Sequence, residues 1–525
     1  MSESRRHLAL AAVLLAAFTC TQTLAAEHAA GEPSRSLAVA PPQWKLHRYP
    51  AKHVNRVQYR EVAIKRLLEM QRKNTSRGLK PTQIGIARRA DLESTRMLPA
   101  RLSWIATTSG GAVARLEIRS PDALALRAGL QIDRLDDRVE LRFAGSDDPA
   151  RVVALLRGAE IKRLLDAKRT FWTPSTDGDT QIIEIYRPAG VPAAGVRLSA
   201  PRLSHLLANS RNDFRIVEKI GESGSCNVDT ACRVQELGQR FVNAKNAVAH
   251  MQFVLDGSTY ICSGTLLNDT RTSTQVPYFY SANHCFSTSE GAPVPGQMQA
   301  VANTLNTFWD YEATSCNSGI SWLTTQLSGG ATYLYSSHDT DGMLLRLNNP
   351  APAGAYFAGW NSAALPASSA VLAIHHPAGD AKKVSSGQHI SSDSVTHEVG
   401  WLSGTTEGGS SGSALFTLGS NGYLLRGGLY GGNASCANTG SISNPDNRDY
   451  YSRFDIVFPN IRAYLAPDPI PLNGSQPLIP PQTSPFTTRS ATRSGVTDAA
   501  TRETRAARAG SGTRRQPARR LYRER

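Results

Sequence analysis

The rhythm of apolar and polar positions changes several times along the 525 residues. An apolar run at 8–18 follows Arg5-Arg6 and gives way to small residues at Thr23-Leu24-Ala25-Ala26. That layout predicts a cleavable secretion signal over 1–26, its apolar core too short to cross a bilayer. From 27 to 219 charge is frequent. Lys65-Arg66-Leu67-Leu68-Glu69-Met70 predicts a helix, and the runs 83–87, 112–118 and 181–186 predict strands, the last preceded by a turn cluster at 172–179. A mainly β domain with some helix is expected here. From 220 to 465 short apolar runs alternate with Gly, Asn and Ser turns, which predicts an all-β domain. Its clearest hairpin has arms 414–418 and 423–429 around Gly419-Ser420-Asn421-Gly422. After 466, seven prolines between Pro467 and Pro485 break any regular element, and Arg, Ser, Thr and Ala follow. That composition predicts a disordered basic tail over 466–525.

Charge separates the same segments. Residues 1–220 carry 36 Lys+Arg against 22 Asp+Glu, residues 221–465 carry 11 against 17, and the tail carries 11 against 4. The net +15 therefore does not describe the middle domain, which is acidic. A basic domain beside an acidic one fits docking within one chain better than nucleic-acid binding, because opposite fields attract. By position, 27–219 reads as a propeptide that assists folding and covers a cleft.

The chemistry centres on Thr405-Thr406-Glu407-Gly408-Gly409-Ser410-Ser411-Gly412-Ser413, with the apolar run Ala414-Leu415-Phe416 directly behind it. A serine among glycines offers a hydroxyl nucleophile, with backbone N–H groups at Gly409 and Ser411 to receive an oxyanion. Gly408 to Gly412 also spells G-x-S-x-G about Ser410, the elbow of α/β-hydrolases. That fold needs a histidine after the serine, and all twelve histidines precede Ser411, the last being His397. The elbow reading is excluded. His284 in Ala282-Asn283-His284-Cys285, Asp341 ahead of Met343-Leu344-Leu345, and Ser411 stand in the His, Asp, Ser order of chymotrypsin-like enzymes. Asp339 is the local rival to Asp341.

Six cysteines lie between Cys226 and Cys436, while Cys20 falls in the signal. An even number behind a secretion signal argues for disulfides, and no C-x-x-C or H-E-x-x-H pattern offers zinc a ligand set. The pairing stays open at this level. No metal and no cofactor is expected.

Together these stretches, with Ser223-Gly224-Ser225-Cys226 and Ile374-His375-His376-Pro377, resemble the bacterial lysyl endopeptidases, within the trypsin-like (chymotrypsin-fold) serine proteases. The resemblance covers about 221–465. It implies two antiparallel β-barrels with the site between them, and the pairs Cys226–Cys436, Cys232–Cys316 and Cys262–Cys285. It implies a secreted, monomeric endopeptidase acting on protein and peptide substrates with a basic P1 residue, Lys first and Arg the open alternative. Asp449 and the Thr406-Glu407 pair match the family's pocket region. Tyr430 stands where the family has a histidine on the substrate-edge strand, and Ser410 replaces the aspartate of mammalian digestive enzymes. His375-His376 receives no role. Cleavage at Lys219–Ile220 is expected to release the propeptide. The alternative from another class is a catalytically silent trypsin-like binding module whose basic tail engages polyanions.

Overall fold

The computed structural model describes residues 26–75, 81–108, 110–210, 222–271, 273–287, 291–321 and 324–468. The expected signal apart from Ala26, the Lys219–Ile220 bond, and the C-terminal tail apart from its first three positions lie outside the described residues. The chain is mostly β. No helix among the described residues is long and apolar enough to cross a membrane.

The expected helix forms over Ile64–Thr75, and the three predicted N-terminal strands form, the first of them interrupted at Ile84. Between 54 and 206 two sheets face each other. One carries Gly111–Arg119, Glu140–Gly145 and Thr180–Pro188; the other carries Ala125–Leu135 and Val196–Leu206. Leu116, Ile118, Phe143 and Ile183 from the first meet Leu126, Leu130, Phe171 and Leu203 from the second in one buried cluster. This is a sandwich whose inner faces read the alternation of each strand.

Beyond 247 the chain builds a half-barrel and then a closed barrel. The half-barrel contains Val248–Leu255, Ser258–Leu267, Tyr278–Ala282 and Gly342–Leu347 in that spatial order. The closed barrel is a ring of six: Ala370–His375, Lys383–Ser392, Thr396–Ser403, Asp449–Ser452, Gly422–Gly432 and Ala414–Gly419, shut by the pairing of Leu429 with Tyr451. Its strands are apolar on both faces. Val371 and Ala373 pack with Trp401 and Tyr451, while Leu372 and Ile374 pack with Phe454, Val457 and Phe458 on the C-terminal helix Phe454–Leu465. Successive side chains on a strand point to opposite faces, so both faces must be apolar where a helix covers the outside. The predicted hairpin is present, joining Ala414–Gly419 to Gly422–Gly432.

All three disulfides expected from the resemblance are formed. The N-terminal part also contributes strands to the later sheets. His28–Ala29 pairs with Trp360–Asn361, and Thr82–Gln83 pairs with Tyr260–Ile261 on the edge of the half-barrel. Arg127, fully buried in the sandwich, donates to the carbonyl of Thr304 at 2.6 Å.

Candidate active site

Antiparallel pairing brings Ala282 opposite Gly342, so the residues just beyond each strand end meet. His284 sits in the single turn Asn283–Phe286 and is almost fully buried. Asp341 holds it twice: the His284 backbone N–H donates to Oδ1 at 2.8 Å, and the ring Nδ1 lies 2.6 Å from Oδ2. Asn283 N–H donates to the Asp341 carbonyl at 2.7 Å. Asp341 adopts φ +57°, a left-handed conformation that non-glycine residues take at some cost. The cost is offset by these three bonds. Asp339 is exposed and lies beside His338 instead.

Ser411 lies on a loop held from several sides. Its carbonyl accepts from Ser263 N–H at 2.8 Å, Gly412 N–H donates to Leu429 O at 2.8 Å, and Ser263 Oγ donates to Gly409 O at 3.0 Å. Gly409 has φ +98°, and a Cβ there would stand 2.9 Å from the His376 carbonyl, so only glycine fits. The N–H groups of Gly409 and Ser411 donate to no other group among the described residues. Two such donors beside a hydroxyl are what an oxyanion requires.

His284 and Ser411 line one cleft of about 780 Å³, together with Thr406, Glu407, Gly408, Tyr430 and Asp449. Tyr430 turns its ring edge-on to His284, centroids 6.4 Å apart. Asp449 is 1 % exposed. Its Oδ2 accepts from Trp401 Nε1 and Thr406 Oγ1, each at 2.7 Å. Burial nevertheless pushes its pKa up to about 6, the two hydrogen bonds working in the opposite direction. Gly432 lies against Oδ1, where any side chain would collide with the carboxylate. Glu407 is placed differently. It is half-buried at the cleft wall, and Oε1 accepts from Gly224 N–H at 2.8 Å and Asn227 Nδ2 at 2.5 Å. The carboxylate thereby ties down the segment leading into Cys226.

Sequence reasoning missed His375. Its Nδ1 is 2.8 Å from Ser410 Oγ and its Nε2 is 3.0 Å from Ser385 Oγ, so it sets the residue before Ser411. Burial, and secondarily Lys383, lowers its pKa to about 3, leaving the ring neutral. His376 donates its backbone N–H to Ser263 Oγ and stacks on Tyr311. The only sequence signal was a His-His pair ending an apolar strand. Cys262, His284 and Cys285 are the one cluster of metal-ligand spacing among the described residues, but the two sulfurs are joined in a disulfide and offer no thiolate.

Residues 58–207 match the family model of the lysyl endopeptidase N-terminal domain, and 220–452 match that of the lysyl endopeptidase C-terminal domain. A lysyl endopeptidase of Pseudomonas aeruginosa is 37% identical over 404 residues, 74% of this chain and 82% of that protein. A crystal structure of the inactive form of Rv3671c from M. tuberculosis covers 44% of this chain and 92% of its own at 10% identity and a TM-score of 0.27. A second inactive-form structure of the Rv3671c protease gives 0.26 at 12% identity, over 43% and 92%. The chain is a hydrolase of the serine endopeptidase class. Both halves of its sequence have counterparts in one lineage. It belongs to the bacterial lysyl endopeptidase family.

Proposed function

We propose that this chain is a secreted endopeptidase that hydrolyses peptide bonds after Lys, with Arg the open alternative, through His284, Asp341 and Ser411. The observation that carries the reading is the His284–Asp341 pair facing the same cleft as Ser411, with a buried carboxylate at Asp449. Ser411 Oγ attacks the scissile carbonyl while His284 takes its proton. Asp341 holds the imidazole in one orientation and stabilises its charged form. The N–H groups of Gly409 and Ser411 receive the oxyanion. His284 then protonates the leaving amine, and water hydrolyses the acyl-enzyme by the reverse sequence of proton transfers. Asp449 pairs with the P1 ammonium in a slot from which water is excluded, and Thr406 and Trp401 hold the acid in place. Tyr430 lines the acyl side, on the strand edge that substrate backbone extends. Glu407 contributes negative charge at the rim while anchoring the N-terminal segment.

The half-barrel and the barrel correspond in this reading to the two barrels of the chymotrypsin type. Residues 1–26 are a signal, 27–219 an intramolecular chaperone and inhibitor, 220–465 the protease domain and 466–525 a basic tail. Lys219–Ile220 is the processing point. The disulfides favour an extracellular location. The test is a P1 profile of the purified active protein beside Ser411→Ala. Cleavage after Lys that is absent from the variant supports the reading. Equal residual hydrolysis in both removes it, and none in either returns the silent binding module.

A further inference from the structure

The cleft is not lined by the protease part alone. Asn74 and Pro81-Thr82, from the N-terminal part, line it together with Ser411 and His284. Thr82 lies directly opposite Ile261, and Gln83 opposite Tyr260, in antiparallel register. Ile84 N–H continues the ladder to Thr259 O at 2.9 Å. Ile261 immediately precedes Cys262, whose disulfide partner Cys285 adjoins His284. The added strand therefore ends beside the reacting groups.

Resting on the function proposed above, we infer that Pro81–Thr82–Gln83 is a built-in ligand of the leaving-group half of the cleft. Asp449 and the edge through Tyr430 take the acyl half of a substrate, so the amine half must continue on the far side of Ser411. That is where Thr82 sits, so close to Gly408 that a side chain there would meet Thr82 Oγ1. An extended segment paired with a free strand edge is how peptides are held in such clefts. Two features keep it seated. Asn74 grips Gln83, its Nδ2 donating to Gln83 O at 2.8 Å and its Oδ1 accepting from Gln83 N–H at 3.0 Å. Ile84 and Met70 pack in one cluster with Ile261.

Proline explains why the segment survives. In the sequence Pro81 follows Lys80, a residue type this enzyme is proposed to cut after. Pro81 is buried, and its ring closes on the nitrogen that His284 would have to protonate. A secondary amide in its place would be an ordinary scissile bond. Hydrolysis would consume one water and leave a carboxylate on residue 80 and an amine on residue 81.

The test uses the full chain with Pro81→Ala and follows new termini by mass spectrometry. We expect cleavage between residues 80 and 81 in this variant, not in the natural sequence and not when Ser411→Ala is added. The rate should be unchanged when protein is diluted a hundredfold, because Pro81 and Thr82 line the molecule's own cleft. An intact 80–81 bond in an enzyme that still digests lysyl peptides, or a rate that falls with dilution, overturns the inference and leaves the proposed function standing. Asn74→Ala gives a second measurement, the rate at which a small fluorophosphonate labels Ser411 in chains not yet processed. Loss of two ordinary hydrogen bonds predicts an increase of about tenfold, and an unchanged rate overturns the inference. If the processed natural enzyme takes no label at all, it is Ser411 as nucleophile that fails.

Discussion

Replacing Asp449 by Asn keeps the shape of the slot and an oxygen for Trp401 Nε1 and Thr406 Oγ1, but removes the charge. Burial raises this acid from the usual 3.8 to about 6. At about 1.4 kcal/mol per pKa unit, the free enzyme holds its carboxylate at a cost of roughly 3 kcal/mol. In the proposed reading a P1 ammonium entering the slot offsets that cost, and without the carboxylate the ammonium is buried unpaired. Breaking a buried pair from one side costs about 3–5 kcal/mol, so kcat/KM for lysyl substrates should fall by roughly 10²–10⁴. Substrates with an uncharged P1 chain of equal length should change little. The pH dependence gives an independent sign. Below pH 6 the natural enzyme binds a proton where the ammonium must go, so KM for lysyl substrates rises by about tenfold per pH unit, whereas Asp449→Asn shows no such slope. Because the raised pKa means the folded state binds the proton more tightly than the unfolded chain, this acid's stability contribution is lost as pH rises from about 4 through 6. The Asn variant without substrate should melt higher at pH 8. Steady-state kinetics on paired substrates from pH 5 to 8 measures all of this. A lysyl preference that survives within threefold of the natural enzyme would refute the assignment and point to Glu407.

Ser411→Ala or His284→Ala should lower kcat by roughly 10⁶ while the fold and the disulfides persist, and near-normal turnover by either variant removes the mechanism. Terminal sequencing of the active form should read Ile220-Gly221-Glu222, and Ser411→Ala expressed without other proteases should remain uncut; another first residue, or normal maturation of that variant, counts against self-processing. His250 and His375 are buried with pKa values lowered to about 3, so the unfolded chain gains protons first as pH falls. Their contribution is whole above about 6.5 and drains at roughly 3 kcal/mol per pH unit below it; a melting series in which His375→Gln keeps the natural slope would contradict this. Breaking the Cys226–Cys436 link with paired serines should cost about 3–5 kcal/mol, since it closes a loop of 210 residues, and an unchanged urea midpoint would show that Glu407 alone holds that segment.

The sequence by itself determined what is local or ordered along the chain. Histidines confined upstream of Ser411 excluded one hydrolase class and set the order of the proposed triad. Alternating apolar runs around Gly419-Ser420-Asn421-Gly422 located a hairpin, and the change in charge near residue 220 separated two parts. Family motifs, not spacing, carried the disulfide pairs. Tertiary structure decided the rest, because it depends on contacts between residues far apart in sequence. Asp341 is distinguished from Asp339 by the register of Tyr278–Ala282 against Gly342–Leu347, which puts one beside His284 and leaves the other in solvent. Glu407 and Asp449 are both acids lining the cleft with Ser411, yet only Asp449 is stripped of water, because its strand runs inside the barrel wall behind Gly432. His375 is an unremarkable letter until strand pairing sets it against Ser410. The pairing of Thr82 with Ile261 spans 179 positions, and no periodicity within either segment specifies it: a strand edge accepts any extended backbone, so only the folded sandwich determines which one arrives.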